Sequence, residues 1–300
     1  MTTGGESGGA EVVLGPAQYG KAEVRLLHVD RAGPQHAITD LNVSITLAGD
    51  LAETYLTGDN AKVLTTDAQK NTVYAFARQF GVAPVEEFGL RLARHFAAVP
   101  AVTRAQVRIE QYGWRRIDAG GASHPHAFER LAGTRVASAH VRDGGGAEVV
   151  AGVDGLVLLK SSGSEFHGFL TDRYTTLEPT QDRILATAVR GQWRYADTGQ
   201  AWDAAFAGAR AALTEAFAVT HSRSLQQTLY AMGEAVLAAC AGISEARFSL
   251  PNKHHFLVDL VPFGLDNPGE VFFAADRPYG LIEGTVRRAG AAPGDQDHQW

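Results

Sequence analysis

Apolar side chains at Val73, Phe76, Ala77 and Phe80 follow the i, i+3, i+4, i+7 spacing of one helix face. The stretch LTTDAQKNTVYAFARQ, residues 64–79, therefore predicts a helix, with Asp67 or a threonine before it as the N-cap. Lys70, Asn71 and Thr72 add further hydrogen-bonding groups to its first turns. A second helix is predicted in PVEEFGLRLARHFAAV, residues 84–99. Pro84 suits its start, Glu86 and Glu87 suit the positive end of its dipole, and Phe88, Leu92 and Phe96 lie four apart. Strand-like runs bounded by Gly, Pro and Asp flank the pair. KAEVRLLHVD and LNVSITLAGD come before it; RAQVRIEQYGW and TRVASAHVRDGGGAEVVAG come after, the last folding back at Gly144–Gly146.

The pattern then recurs. GLVLLKSS, FHGFLTD and RILATAVRGQWRY read as strands, and WDAAFAGARAALTEAFAV and SLQQTLYAMGEAVLAAC as helices. The second of these helices puts Leu225, Leu229, Met232 and Val236 on one face, and EARFSLPNKHHFLVDL follows as a strand interrupted by Pro251. Strands, two helices and strands thus occur in tandem, with a boundary near residues 143–152, although few residues repeat between the halves. The expected class is α+β, antiparallel strands with paired helices on one face. Residues 1–15 and 289–300 are rich in small and polar residues and are expected to be flexible tails.

The 300 residues suit one large domain or two of about 150. A net charge of −6 and the lack of a Lys/Arg-rich block argue against a nucleic-acid partner, without excluding a small anion held by local cations. The single cysteine, Cys240, is placed on a helix's apolar face as an inert thiol. No 18-residue apolar run predicts a membrane span. No signal peptide opens the chain and DQDHQW is not a peroxisomal tripeptide, so cytoplasm is the expected compartment.

Four segments gather polar residues without surface periodicity: Tyr19–Lys21, Thr65–Asp67, Glu165–Arg183, and Ser224–Gln227 with Leu250–Phe256. Taken singly each has a plain explanation. Lys21 would be a solvated lysine, and Arg183 would pair with Asp182 at the surface. One of His254 and His255 must face inward if the strand holds. His124 and His126 in HPHAF lack the third ligand that a metal site needs.

In combination, YGK, LTTDAQKNT, FHGFLTDRYTTLEPTQDRIL, SLQQTLYAM and SLPNKHHFLVDL resemble the urate oxidase (uricase) family, in order over nearly the whole body of the chain. The resemblance implies two tandem tunnelling-fold (T-fold) domains, placed here at 16–145 and 146–288, whose sheets assemble as a homotetramer around a barrel-like tunnel. It implies oxidation of urate by O2 and water to 5-hydroxyisourate and H2O2, with no metal, flavin or other cofactor. Carried over by residue, Phe166 stacks on the purine, Arg183 and Gln226 grip its edges, and Asn252 lies above the ring. Lys21, Thr66 and His254 form a proton relay, while Asp67 and Leu225 act mainly through backbone N–H groups. Lys21, Thr66 and Asp67 are expected from a neighbouring subunit. HPHAF belongs to the same pattern and takes a structural role.

Overall fold

A computed structural model describes residues 12–292; most of the two expected tails, residues 1–11 and 293–300, lies outside the described residues. The elements run β1 (Tyr19–Asp30), β2 (Ala37–Gly49), α1 (Ala52–Leu56), α2 (Thr66–Phe80), α3 (Val85–Ala97), β3 (Val102–Ala119), β4 (Ala122–Arg142) and β5 (Ala147–Lys160). They continue through β6 (Leu185–Tyr195), α4 (Trp202–Val219), α5 (Leu225–Ala239), β7 (Ile243–Lys253), β8 (His255–Leu257), β9 (Phe272–Ala274) and β10 (Gly280–Arg287). Eight strands form one antiparallel sheet in the order β1-β2-β3-β4-β5-β6-β7-β10, and β8 pairs with β9 beside it.

Alternation builds one face of this sheet for the helices and the other for water. Leu41, Val43, Ile45 and Leu47 of β2 are buried, as are Val107 and Ile109 of β3 and Trp193 and Phe248 of β6 and β7. Against that face α2 packs on β1, α3 on β3 and β4, α4 on β5, and α5 on β7 and β10. Between the buried residues, Asn42, Ser44, Thr46, Gln106, Arg108 and Glu110 line a polar hollow of about 310 Å³.

Three sequence expectations change. FHGFLTD is not a strand: the chain there is irregular, and Phe166 and Thr180 form only an isolated bridge. Gly168 turns in the left-handed region (φ 72°), and the Asp172 carboxylate captures the Tyr174 N–H and the Thr175 hydroxyl, both at 2.9 Å. Such local bonds compete with a ladder. GLVLLKSS is not a separate strand but the far half of β5, bent by a register shift between Val153 and Leu156. Cys240 is the half-buried C-cap of α5 rather than part of its buried face. The helix α1 and the strands β9 and β10, the last at the sheet edge, were not anticipated. Pro251 lies inside β7, opposite Leu281 of β10. On the β6 side the pairing lapses between Thr187 and Arg190, next to the residue that has no N–H to donate. No described helix is long and apolar enough to cross a membrane.

Candidate active site

Arg183 is the centre from which the site is best read. The neighbouring Asp182 is not its partner, contrary to the plain expectation for this pair. Asp182 accepts the Ser162 hydroxyl at 2.7 Å and the Gly163 N–H at 2.8 Å, and these bonds, the Ser162 bond foremost, hold its carboxyl below the usual range. The Arg183 N–H donates to the Ser164 carbonyl at 2.7 Å, which turns the side chain inward. Its guanidinium lies 4.9 Å from the centre of the Phe166 ring. Burial lowers its pKa, and its Nε is buried with no partner among the described residues. A buried donor left without a partner normally costs about 1–3 kcal/mol.

Phe166, Thr180, Arg183, His254 and Phe272 share the wall of a cavity of about 690 Å³. His254 sits in the break between β7 and β8. Burial, then the Arg183 charge, then His255 hold its imidazole below the ordinary pKa, so the neutral ring is favoured. The Phe169 ring stacks on Phe166 at 5.1 Å.

The start of α5 is joined to this loop through the main chain. Glu165 N–H donates to the Ser222 carbonyl at 2.7 Å, and Ser222 N–H donates to the Gly163 carbonyl at 3.0 Å. Ser224 caps the helix by accepting the Gln227 N–H at 3.1 Å, and the Gln227 side chain returns to accept the Arg223 N–H at 2.8 Å. This is the reciprocal logic of a capping box, and it engages Gln227 while leaving Gln226 exposed. The amides of Leu225 and Gln226, in the first turn, have no intrahelical acceptor. The Leu225 side chain is 2% exposed and belongs to the core, so it does not crowd the cavity. Leu225, Gln226 and Asn252 are not on the cavity wall itself; Asn252 lies on β7, opposite Thr187 and Gly280.

Lys21, Thr66 and Asp67 form a second group elsewhere. Thr65 is the N-cap of α2, its hydroxyl accepting the Ala68 N–H at 3.1 Å, which leaves the Thr66 and Asp67 amides free by the same geometry. Asp67 accepts Lys70 Nζ at 2.6 Å and Asn71 Nδ2 at 2.9 Å. The Lys70 bond is the main reason its pKa is low, and the Lys21 charge contributes to the same effect. Lys21 therefore lies near this helix start. β1 and β7 are six strand spacings apart in the sheet. At about 4.8 Å each the two groups are separated by roughly 29 Å along it. One chain does not bring the nine predicted site residues together; it presents two clusters near opposite edges.

The sequence missed what shapes the loop, namely the Asp182 cage and the main-chain bonds of Ser222 to Gly163 and Glu165. HPHAF has a structural setting: Arg116 donates to the carbonyls of His124 and Pro125 and to that of His36. Among the described residues no cluster of three or more His, Cys, Asp or Glu is arranged to hold a metal ion.

Comparison with known proteins agrees over the same range. A family model described as Uricase matches residues 17–139 and 149–283. A uricase of Arthrobacter globiformis is 54% identical over 287 residues, 95% of this chain and 93% of that protein. A uricase of Aspergillus flavus is 38% identical over 290 residues, 91% of this chain and 96% of that protein. The crystal structure of the Arthrobacter globiformis uricase superimposes with a TM-score of 0.91 at 52% identity, covering 96% and 99% of the two chains. A uricase structure from Bacillus fastidious shares the fold at a TM-score of 0.78 and 23% identity, covering 93% and 94%. With the family model matched over most of its length, the chain belongs to the uricase family.

Proposed function

We propose that this chain, an oxidoreductase of the urate oxidase family, oxidises urate with O2 and water to 5-hydroxyisourate and H2O2 without a cofactor. The observation that carries the reading is the Arg183 guanidinium, half-buried over Phe166 with an unpartnered Nε–H and with its neighbouring carboxylate turned away. A planar anion with oxygens and N–H groups on its rim answers each of these features. A guanidinium fork donates parallel, charge-assisted bonds to such an edge, the Gln226 amide both donates and accepts at the other, and the Phe166 ring covers the π-face.

The chemistry balances as two electrons leaving urate for O2, water adding to the purine, and two protons ending on peroxide. Deprotonated urate is electron-rich enough to start this transfer. What remains for the protein is to hold O2 and water against the ring near Asn252 and to move protons. In this reading Lys21 takes the proton through Thr66, and His254 holds or recharges Lys21.

The separation of the two clusters supports a site completed by a second copy, whose α2 start brings Lys21, Thr66 and the Asp67 amide opposite the Arg183 cavity. Two helix starts then aim free N–H groups at one anion. The same reading takes 16–145 and 146–288 as T-fold repeats of a cytoplasmic homotetramer around a tunnel. It draws on the repeated order of strands, two helices and strands, and on the helix-free polar face of the sheet. The test is purified protein with a chelator and urate in air, followed by urate loss and peroxide release. Urate left untouched overturns the proposal, and turnover by isolated monomers overturns the shared site.

A further inference from the structure

The motif YGK contains one catalytic candidate and two residues whose purpose the sequence leaves unexplained. The Tyr19 hydroxyl donates to the Leu64 carbonyl at 3.0 Å and accepts the Leu64 N–H, also at 3.0 Å. One side chain thus binds both polar groups of a residue 45 positions away. Leu64 stands directly before the cap Thr65, two residues from Thr66. Its carbonyl takes a second bond, from Gln69 Nε2 at 3.1 Å, and Gln69 is fully buried within α2. On the strand side, Tyr19 and Lys21 are two apart in β1, so they share a face. Gly20 between them presses so close to β2 that an added Cβ would meet the Ile45 carbonyl oxygen at 1.8 Å. β1 also changes register between Lys21 and Val24. There Glu23 is the one non-glycine residue with positive φ (56°) among the described residues, and its N–H is held by the Ser44 hydroxyl at 3.0 Å. Bulges of this kind re-aim a side chain next to a working site.

We propose that Tyr19 is a positioning residue of the reaction, its hydroxyl fixing the start of α2 against β1 so that Thr66 and Lys21 stand at the distance their proton transfer needs. The inference rests on the reading of Lys21 and Thr66 as relay partners. The bond pair needs a hydroxyl, because phenylalanine would fill the same space and leave both Leu64 groups unanswered. Burial pushes the phenol up, so it keeps its proton and remains a donor to the carbonyl.

The test compares the full-length wild type with Tyr19→Phe, Thr66→Ala and the double variant, with urate as substrate. Tyr19→Phe is expected to lower kcat about 10-fold or more with KM changed less than about twofold, the scale of a misplaced relay group. In the Thr66→Ala background it is expected to cost nothing further, because the group it positions is gone. A wild-type kcat for Tyr19→Phe, a matching rise in KM, or losses that multiply in the double variant would each overturn the proposal. If Thr66→Ala itself turns over normally, the relay reading fails and the positioning role fails with it. Should Tyr19→Phe melt early, Gln69→Met decides. It removes the second bond to the same carbonyl and must lower kcat in the same direction, an unchanged kcat counting against the proposal.

Discussion

The Arg183 guanidinium lies over the ring of Phe166, 4.9 Å from its centre, while the carboxylate next to it in sequence is caged by Ser162 and Gly163. The arrangement separates a cation from its natural counter-charge and aims it at a cavity. Arg183→Ala is expected to raise KM for urate steeply, with a smaller effect on kcat, since the fork binds substrate and transition state alike. Arg183→Lys keeps the charge but loses the bidentate edge, so it should recover only part of the affinity. Steady-state kinetics decide, and an unchanged KM removes the clamp.

Lys21 and Thr66 carry the proton in the proposed reaction, and neither makes a side-chain hydrogen bond to the other within one chain. Lys21→Ala and Thr66→Ala are each expected to lower turnover by about 10² or more, the usual scale for losing an acid–base partner. Mixing Lys21→Ala with Arg183→Ala protein under conditions that exchange subunits should restore part of the activity. Each variant supplies the half that the other lacks. Failure of every mixture to regain activity would argue that both halves act within one chain.

What was readable in advance depended on how local its cause was. The starts of α2 and α5 were legible because Thr65 and Ser224 bind N–H groups three residues on. The strand alternation of β2 and β3 was legible because one face meets helices and the other water. The Phe166 loop was misread as a strand because the local bonds of Asp172 are only part of its cause, and the rest is distant. Asp182 gathers residues about twenty positions earlier, and Ser222 pairs with Gly163 from nearly sixty away. No period in the sequence encodes those bonds. Leu225 is the opposite case: the spacing that groups it with Leu229, Met232 and Val236 already marked the face that packs in the core.

His254 titrates below its ordinary value of about 6.5 because burial, Arg183 and His255 all oppose its charge. A depressed histidine contributes stability that is present above the unfolded value and lost as pH falls through the folded one. Acidification below about pH 6.5 should therefore weaken the native state less in His254→Gln than in the wild type. In activity, the acid limb of the kcat profile should move to higher pH in His255→Gln, because removing a like-charged neighbour raises the pKa of His254. An acid limb that stays in place would show that another group sets it.

Glu86 of α3 is fully buried, and Arg135 of β4 answers it with bonds of 2.6 and 3.2 Å while also reaching Asp203 of α4 at 2.8 Å. Burial still raises the Glu86 pKa, with the Arg135 charge pulling the other way. The network ties α3 to α4, helices from opposite halves of the chain. Arg135→Ala is expected to cost about 3–5 kcal/mol, because it strands a buried carboxylate. A carboxyl raised in the folded state favours folding below its unfolded pKa and loses that benefit as pH rises through the folded value. The deficit of Arg135→Ala should therefore shrink as the medium is acidified toward pH 5. Glu86→Leu in the same background should restore much of the loss at neutral pH by removing the stranded charge. Denaturant unfolding of the wild type and the two variants across pH checks each step, and a pH-independent deficit would assign the loss to packing against Phe206, whose ring lies 4.2 Å from the Arg135 guanidinium.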